Sequence, residues 1–260
     1  MFGLSAKLPV SEEERQWVDQ GFQRLAKMLG PRGMLEAKVG LPTGEDFPDP
    51  YNKTPAAVEK LLQRVCTYMQ LDRNAFDLEI FPDETEALRK TLPYWRGNSG
   101  GAAGLYTHDA AGEAEAMKRM VVAIKSSQLQ DPFVLVATIA HELGHVILLG
   151  RGLLNPKTED HEPLTDLLTI LLGLGVFTAN CAARFIQYQD ERQAGWSMQR
   201  LGYLPEQVHG YARARFAVEL GEAKSEWGKH LSTNVRCYYK RSRAWLGKNP
   251  HDTVMTKPIA

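Results

Sequence analysis

The feature that most constrains this chain is an apolar run that leads directly into two histidines. Residues 133–140 are almost entirely apolar, and His141-Glu142-Leu143-Gly144-His145 follows at once. Asp131 and Pro132 before the run are typical of a helix start, because an acidic N-cap accepts the first amides and proline fits the first helical position. The pattern predicts one buried helix that ends at Gly150, in which polar side chains need partners.

The two histidines of this helix are spaced to bind one cation. Residues four apart share a helix face, so the imidazoles of His141 and His145 can approach the same ion. Zinc accepts neutral imidazole nitrogen at about 2.0–2.1 Å and prefers tetrahedral coordination. Glu142 lies about 100° further round the helix, from where it can reach water at the metal without being a ligand. Gly144 permits close backbone approach beside the site.

A third protein ligand is expected in the polar start of the next apolar helix, Asp160-His161-Glu162-Pro163-Leu164-Thr165-Asp166. Glu162 and Asp166 are four apart and share a face. Their carboxylates repel each other by roughly a few tenths of a kcal/mol unless a cation or a metal-bound histidine lies between them. Glu162 is therefore the predicted ligand. Asp166 is the predicted acceptor for the second N–H of a ligating histidine, His141.

Other interpretations of these residues remain open. Two surface histidines on an ordinary helix would give the same spacing, although the apolar run before them argues for burial. An acidic helix start favoured by the helix dipole would explain Glu162 alone, but not Asp166 among leucines. His161 is the rival for the position of third ligand, followed by Asp160.

The arrangement resembles the gluzincin group of zinc metallopeptidases, in which a His-Glu-x-x-His helix is followed by a helix carrying Glu-x-x-x-Asp. The matching residues are His141, Glu142, His145, Glu162 and Asp166. The part of the chain that carries these motifs is about residues 105–180. The remainder is similar to a bacterial protein family that shares the motif.

Fold expectations follow from the same residues and this resemblance. We expect an α+β protein with a zincin-like architecture. Residues 1–150 would form an upper lobe with helices, a small mixed sheet and the active-site helix. Residues 151–260 would form a mostly helical lower lobe that carries the third metal ligand.

The resemblance also implies a chemistry. Bound Zn²⁺ would activate water, Glu142 would act as general base, and the substrate would be a peptide or protein. The strand Leu105–His108 could hold an extended peptide at a sheet edge, although an ordinary strand is an equally good interpretation. A tyrosine or histidine of the later lobe would stabilise the oxyanion, and the candidates are Tyr203, His209, Tyr211 and His230, each of which has a structural role as its simpler interpretation.

Local patterns elsewhere predict further helices and short strands. Ser11 and Glu14 have the spacing of a capping box, and Thr54-Pro55 is typical of a second helix start. Alternating apolar and acidic residues at 76–81 indicate a half-buried strand. Additional strands are predicted at 105–107 and 120–124, a glycine-rich connection at 97–104, and later helices at 205–220 and 231–246.

Composition argues against several function classes. Lys+Arg and Asp+Glu both number 31, so neither nucleic acid nor an anionic membrane is an expected partner. The three cysteines are far apart and form no Cys-x-x-Cys pair, which suits reduced thiols in a cytoplasmic protein. The N-terminal residues lack a secretory apolar core. The apolar run Leu164–Phe177 is too short to span a membrane and contains Asp166.

Three functions fit these residues. The first is a zinc metallopeptidase. The second is a non-catalytic zinc-binding regulatory or interaction protein on a zincin scaffold. The third is a hydrolase of a non-peptide amide or ester, which would share the site and differ only in its pocket. Other divalent metals also bind a His/His/Glu set.

Overall fold

The computed structural model describes residues 7–81, 103–107, 120–155, 157–190 and 204–249. The predictions for residues 97–102, His108 and Tyr203 lie outside the described residues. Helices dominate the described part, and a small three-stranded sheet accompanies them, which is compatible with the expected α+β class.

The chain divides into two compact units. One comprises Met1–Leu41 with Lys157–Ala260, here called the terminal unit, and the other is Pro42–Pro156, the middle unit. The boundary at 156 lies near the expected one at 150. The first 41 residues, however, belong with the end of the chain, whereas the sequence placed them in the same lobe as the active-site helix.

The middle unit contains the sheet. Strands β1 (Phe76–Phe81), β2 (Ala103–Thr107) and β3 (Met120–Lys125) have the order β1-β3-β2. β1 pairs in parallel with β3, and β2 pairs antiparallel with it. The three predicted strands and the mixed character of the sheet are therefore confirmed. Among the described strands β2 lies at an edge of the sheet, but the peptide-binding role suggested for it stays a prediction.

Two helices of the middle unit pack against each other. Helix α3 (Pro55–Tyr68) is capped by Thr54, whose side chain accepts from the amide of Ala57, as Thr54-Pro55 predicts. Its buried face includes Val58, Leu62 and Val65, and it packs against helix α4 (Pro132–His145). α4 also contacts β2 and β3, so the helix that carries the two histidines lies against the sheet.

Helix α4 begins as its sequence predicts. The Asp131 carboxylate accepts from the amides of Phe133 and Val134, at 3.0 and 3.3 Å. Every residue from Leu135 to Gly144 is buried. The helix continues beyond His145 as one π-helical turn, Val146–Gly150, so the predicted end at Gly150 is confirmed with a widened last turn.

The segment Pro132–Gly150 is long and apolar enough to cross a membrane, and among the described residues it is the only such helix. It is longer than the run Leu164–Phe177 that the sequence singled out. Of its most apolar window, 72% is buried inside the protein. Such burial is consistent with the core helix of a soluble protein.

The terminal unit is built around α1 (Glu12–Leu29), which packs against α5 (His161–Leu171) and α7 (Glu206–Glu219). Its predicted capping box is confirmed: the Ser11 side chain accepts from the Glu14 amide, and the Glu14 carboxylate accepts from the Ser11 amide. The packing of α1 against α5 and α7 is the physical reason that the first 41 residues join the end of the chain. The short helix α2 (Pro31–Leu35) follows.

The apolar run at Leu164–Phe177 is interrupted by a tight turn. α5 ends at Leu171, and α6 (Gly175–Asp190) begins after Gly173. Gly173 has φ 87°, and a Cβ there would lie 2.1 Å from the carbonyl oxygen of Lys38. Only glycine fits this turn.

Two later helices complete the terminal unit, α7 and α8 (Thr233–Lys248). They confirm the helices predicted at 205–220 and 231–246. They cross closely at Gly210, where a Cβ would lie 2.5 Å from the Cβ of Tyr238.

Candidate metal centre

His141, His145 and Glu162 are brought together in the structure. Each offers one ligand atom, and the three atoms lie within 4.8 Å of one another. His141 is buried, with 3% of its surface exposed, whereas His145 and Glu162 are partly exposed. Two imidazole nitrogens and one carboxylate oxygen could therefore bind a metal ion at this position.

The two histidines point at a common position. One turn apart on α4, their Nε2 atoms are 3.0 Å from each other. Their rings meet edge to face, at 88° and 4.7 Å between centroids. Two tetrahedral ligands at zinc distances would be about 3.3 Å apart, close to this separation. The chemistry and spacing of these atoms thus fit a divalent metal that accepts two nitrogens and one oxygen.

Glu142 lies on α4 between the two histidines in sequence, and it is not one of the three residues that offer a ligand atom. It is buried, with 6% of its surface exposed. A carboxylate on the same helix as the two histidines could accept a proton from water at the candidate metal centre. Its predicted role as general base stays a prediction.

The rivals of Glu162 have other contacts. The Asp160 carboxylate accepts from Nη1 of Arg24 at 3.2 Å, and although Asp160 stands at the N-cap position of α5, its side chain makes no capping hydrogen bond. Nδ1 of His161 lies 3.7 Å from Oε1 of Glu162, so this imidazole faces the candidate ligand. The described contacts therefore favour Glu162 as the third ligand.

Asp166 is buried on α5, and two of its contacts are with the start of α7. Its Oδ2 accepts from the amide of Leu204 at 2.9 Å and lies 3.9 Å from Nε2 of His209. These contacts give Asp166 a structural role that the sequence did not indicate. The expected hydrogen bond from His141 stays a prediction.

The three described candidates for oxyanion stabilisation have structural contacts. The Tyr211 hydroxyl donates to Asp19 at 3.0 Å, and burial raises its pKa. Burial lowers the pKa of His209 to about 4, more than the Asp166 carboxylate can offset, and the Arg213 charge lowers it further. The carbonyl oxygen of His230 accepts from Asn180. None of these contacts identifies which residue would stabilise the oxyanion.

Sequence reasoning missed two arginines in the core of the terminal unit. The side chains of Arg213 and Arg215, both on α7, are fully buried. Arginine is rarely buried unless it is paired, so solvent exposure is the usual expectation for this residue type. The one available signal was their spacing: residues two apart lie on different sides of a helix, and α7 is otherwise rich in apolar residues.

Comparison with known proteins gave no match: no family model, no curated protein and no solved structure matches this chain. The residues of the candidate metal centre are therefore the basis for inferring a function.

Proposed function

We propose that this chain is a zinc-dependent metallohydrolase of the gluzincin type, with a zincin-like fold, that cleaves peptide bonds. The observation that carries the proposal is the convergence of His141, His145 and Glu162. Two histidines and one carboxylate are the protein ligands of several zinc peptidases, in which the fourth position is left for water or substrate.

The chain's own residues would divide the work between binding and proton transfer. Bound zinc would polarise the scissile carbonyl and lower the pKa of water. His141, His145 and Glu162 would hold it. Glu142 would take the proton of the attacking water and deliver it to the leaving nitrogen. Because Glu142 lies on the same helix as both histidines, its position relative to these two ligands is set by helix geometry.

Metal content tests the ligand assignment. Purified protein should hold one zinc per chain, and Glu162→Ala should bind zinc at least about 10–100-fold more weakly, the loss that even outer residues of zinc sites cause. Glu159→Ala is the matched control, because Glu159 is an exposed carboxylate of the loop before α5. Mass spectrometry and competition with a chelator provide the measurements. Undiminished zinc affinity in Glu162→Ala would move the assignment to His161 or Asp160.

Hydrolysis of a peptide library tests the activity. Glu142→Gln should keep its zinc but lose roughly 10²–10⁴-fold in kcat/KM, since the amide cannot accept the water proton. Unchanged hydrolysis in this variant would contradict the role of Glu142. A wild-type protein that holds zinc and cleaves no peptide would instead favour the non-catalytic zinc-binding function. Turnover of non-peptide amides or esters alone would favour a hydrolase of those substrates.

A further inference from the structure

Helix α8 carries positive charge and no negative charge. Residues 227–251 contain neither Asp nor Glu, although acidic and basic residues are equal in number over the whole chain. Five cationic side chains of α8 are here called the basic face: Arg236, Lys240, Arg241, Arg243 and Lys248. The helix dipole favours a cation in the last turn, which accounts for Lys248 alone. The other four cations call for a further explanation.

Within the described part of the chain, no carboxylate forms an ion pair with the basic face. Its three arginines donate to main-chain carbonyl oxygens, at 2.6–3.4 Å, and its two lysines are exposed. Helix α1 differs in this respect, because its Arg15 forms ion pairs with both Glu12 and Asp19. The charges of α8 are therefore available to a group outside the described fold.

Neighbouring like charges make the basic face unfavourable for α8 by itself. Arg236 and Lys240 are four residues apart, and Lys240 and Arg243 are three apart. Like charges at these spacings destabilise a helix by as much as opposite charges would stabilise it. An anionic partner lying across these turns would remove the repulsion.

The outward surface of α8 is made of small side chains between the cations. At about 100° per residue, Cys237 and Ala244 lie opposite the buried Val235, and both are exposed. Lys240 and Arg241 lie on either side of this line. Small side chains let a second helix approach closely, and the cations at both rims then face its acidic side chains. The 16 residues of α8 span about 24 Å, which four to five turns of a partner helix would match.

Other anionic partners fit this surface less well. The chain has no net charge, so its long-range attraction to nucleic acid is weak. The line from Cys237 to Ala244 also offers no exposed aromatic ring on which a base could stack. An interfacial membrane helix needs a free apolar face, whereas the apolar residues Val235 and Leu246 of α8 are buried in the protein. These observations favour an acidic segment of a protein.

We propose that the basic face of α8 is a docking surface for an acidic helical segment of a partner protein. Glu and Asp side chains of the partner pair with the cations at both rims, and its backbone passes over Cys237 and Ala244. Such pairs are exposed, so each is weak and the association depends on salt. None of these residues belongs to the proposed metal centre, so the inference stands apart from the proposed function.

Fluorescence anisotropy with a defined probe tests the docking surface. The probe is a fluorescein-labelled helical peptide of about 16 residues in which Glu recurs on one face among alanines, and its control has Gln in place of Glu. The Glu peptide should bind the full-length protein at low salt and lose about tenfold or more in affinity when salt is raised to about 0.3 M. The Gln peptide should not bind. No binding of the Glu peptide up to about 1 mM would overturn the proposal.

The same titration with Glu162→Ala separates the docking surface from the metal centre. This variant should bind the Glu peptide as tightly as wild type, because the contact does not involve a bound metal. Loss of binding in Glu162→Ala would place the peptide at the metal centre and overturn the proposal.

Charge reversals locate the contact. Lys240→Glu combined with Lys248→Glu should weaken binding about tenfold or more, since attractive pairs become repulsive. The new Glu at 240 has arginines three and four residues away, so the variant should remain folded, with a Tm close to that of wild type. The matched control is Lys27→Glu with Lys60→Glu, which reverses an exposed last-turn lysine of α1 and an exposed mid-helix lysine of α3. This control should retain binding, and an equal loss in both double variants would refute the site.

Alkylation of Cys237 provides a footprint of the bound peptide. Cys237 is exposed, whereas Cys66 and Cys181 are buried, so iodoacetamide should modify Cys237 first. Saturating Glu peptide should slow this reaction several-fold by covering the thiol, and an unchanged rate would refute the contact with α8. Duplex DNA of about 16 base pairs and vesicles containing phosphatidylserine are the competing probes. Tighter binding of either one, with stronger protection of Cys237, would overturn the acidic protein segment as occupant.

Discussion

Asp166 has two possible tasks, and they can be separated by two substitutions. Its carboxylate accepts the buried amide of Leu204, so Asp166→Ala leaves that donor without its acceptor. We expect a loss of about 1–3 kcal/mol in the free energy of unfolding, measured by urea denaturation of the metal-free protein. Asp166→Asn keeps an acceptor oxygen and should lose less. Equal losses in the two variants would contradict the importance of the Leu204 hydrogen bond.

Zinc affinity of the same variants tests the predicted link between Asp166 and His141. A carboxylate that orients a ligating histidine contributes about 10–100-fold to metal affinity. Asp166→Asn should therefore bind zinc more weakly even where its stability is nearly preserved. Undiminished affinity in Asp166→Asn would leave Asp166 with a purely structural role.

The turn between α5 and α6 depends on the single glycine at 173. Gly173→Ala would place a methyl group 2.1 Å from the carbonyl oxygen of Lys38 and would force a positive φ on alanine. Strain of about 1–2 kcal/mol from the backbone adds to about 1–3 kcal/mol from overpacking. We expect a lower urea midpoint than for Gly221→Ala, which has φ 71° and no neighbour within 4 Å. Equal midpoints would show that Lys38 can move away at little cost.

Elements that depend on neighbours in sequence could be predicted. Asp131 and Pro132 define the start of α4, and Ser11 with Glu14 defines that of α1, because capping requires only local groups. The break at Gly173 does have a local sign, because a glycine after a helical run favours the end of a helix. The close approach of Gly173 to the carbonyl oxygen of Lys38, more than a hundred residues away in sequence, has none.

Some residues of the candidate site could likewise be predicted from local sequence, and others could not. His141 and His145 could be paired from helix periodicity alone, and their Nε2 atoms do converge. The sequence left three possible third ligands. Glu162 is favoured by tertiary contacts, among them the contact of Asp160 with Arg24. The burial of Arg213 had only one local signal, its spacing from Arg215 on a helix rich in apolar residues, because burial depends on helices that are distant in sequence.

At the scale of the whole molecule, the first 41 residues share a unit with the last hundred. Asp19 of α1 contributes to this arrangement, because it accepts from the Tyr211 hydroxyl and lies 3.5 Å from Nε of Arg215. Two residues of α7 thus depend on a carboxylate near the start of the chain. Charge pairing of this kind is not visible as a local pattern, which is why a division at residue 150 assigned α1 to the other lobe.

The stability of the protein should depend on pH through His209. Its pKa is lowered from 6.5 to about 4 in the folded state, because burial disfavours the imidazolium. Below pH 6.5 the unfolded chain therefore binds a proton that the folded chain does not. The stabilisation is fully present above pH 6.5 and is lost as the pH falls towards 4. Between pH 7.5 and 4.5 the loss should be about 2–3 kcal/mol.

Urea denaturation at several pH values measures this effect. His209→Gln is the variant of choice, because its amide remains polar but does not titrate, and the acid-dependent loss of stability should be smaller than in wild type by about that amount. Both proteins should carry Glu162→Ala, since metal binding is itself pH-dependent. If the two free energies of unfolding fall in parallel below pH 6.5, then protonation of His209 costs the folded state nothing. Asp166, whose Oδ2 lies 3.9 Å from Nε2, would in that case compensate fully for the burial of the imidazolium.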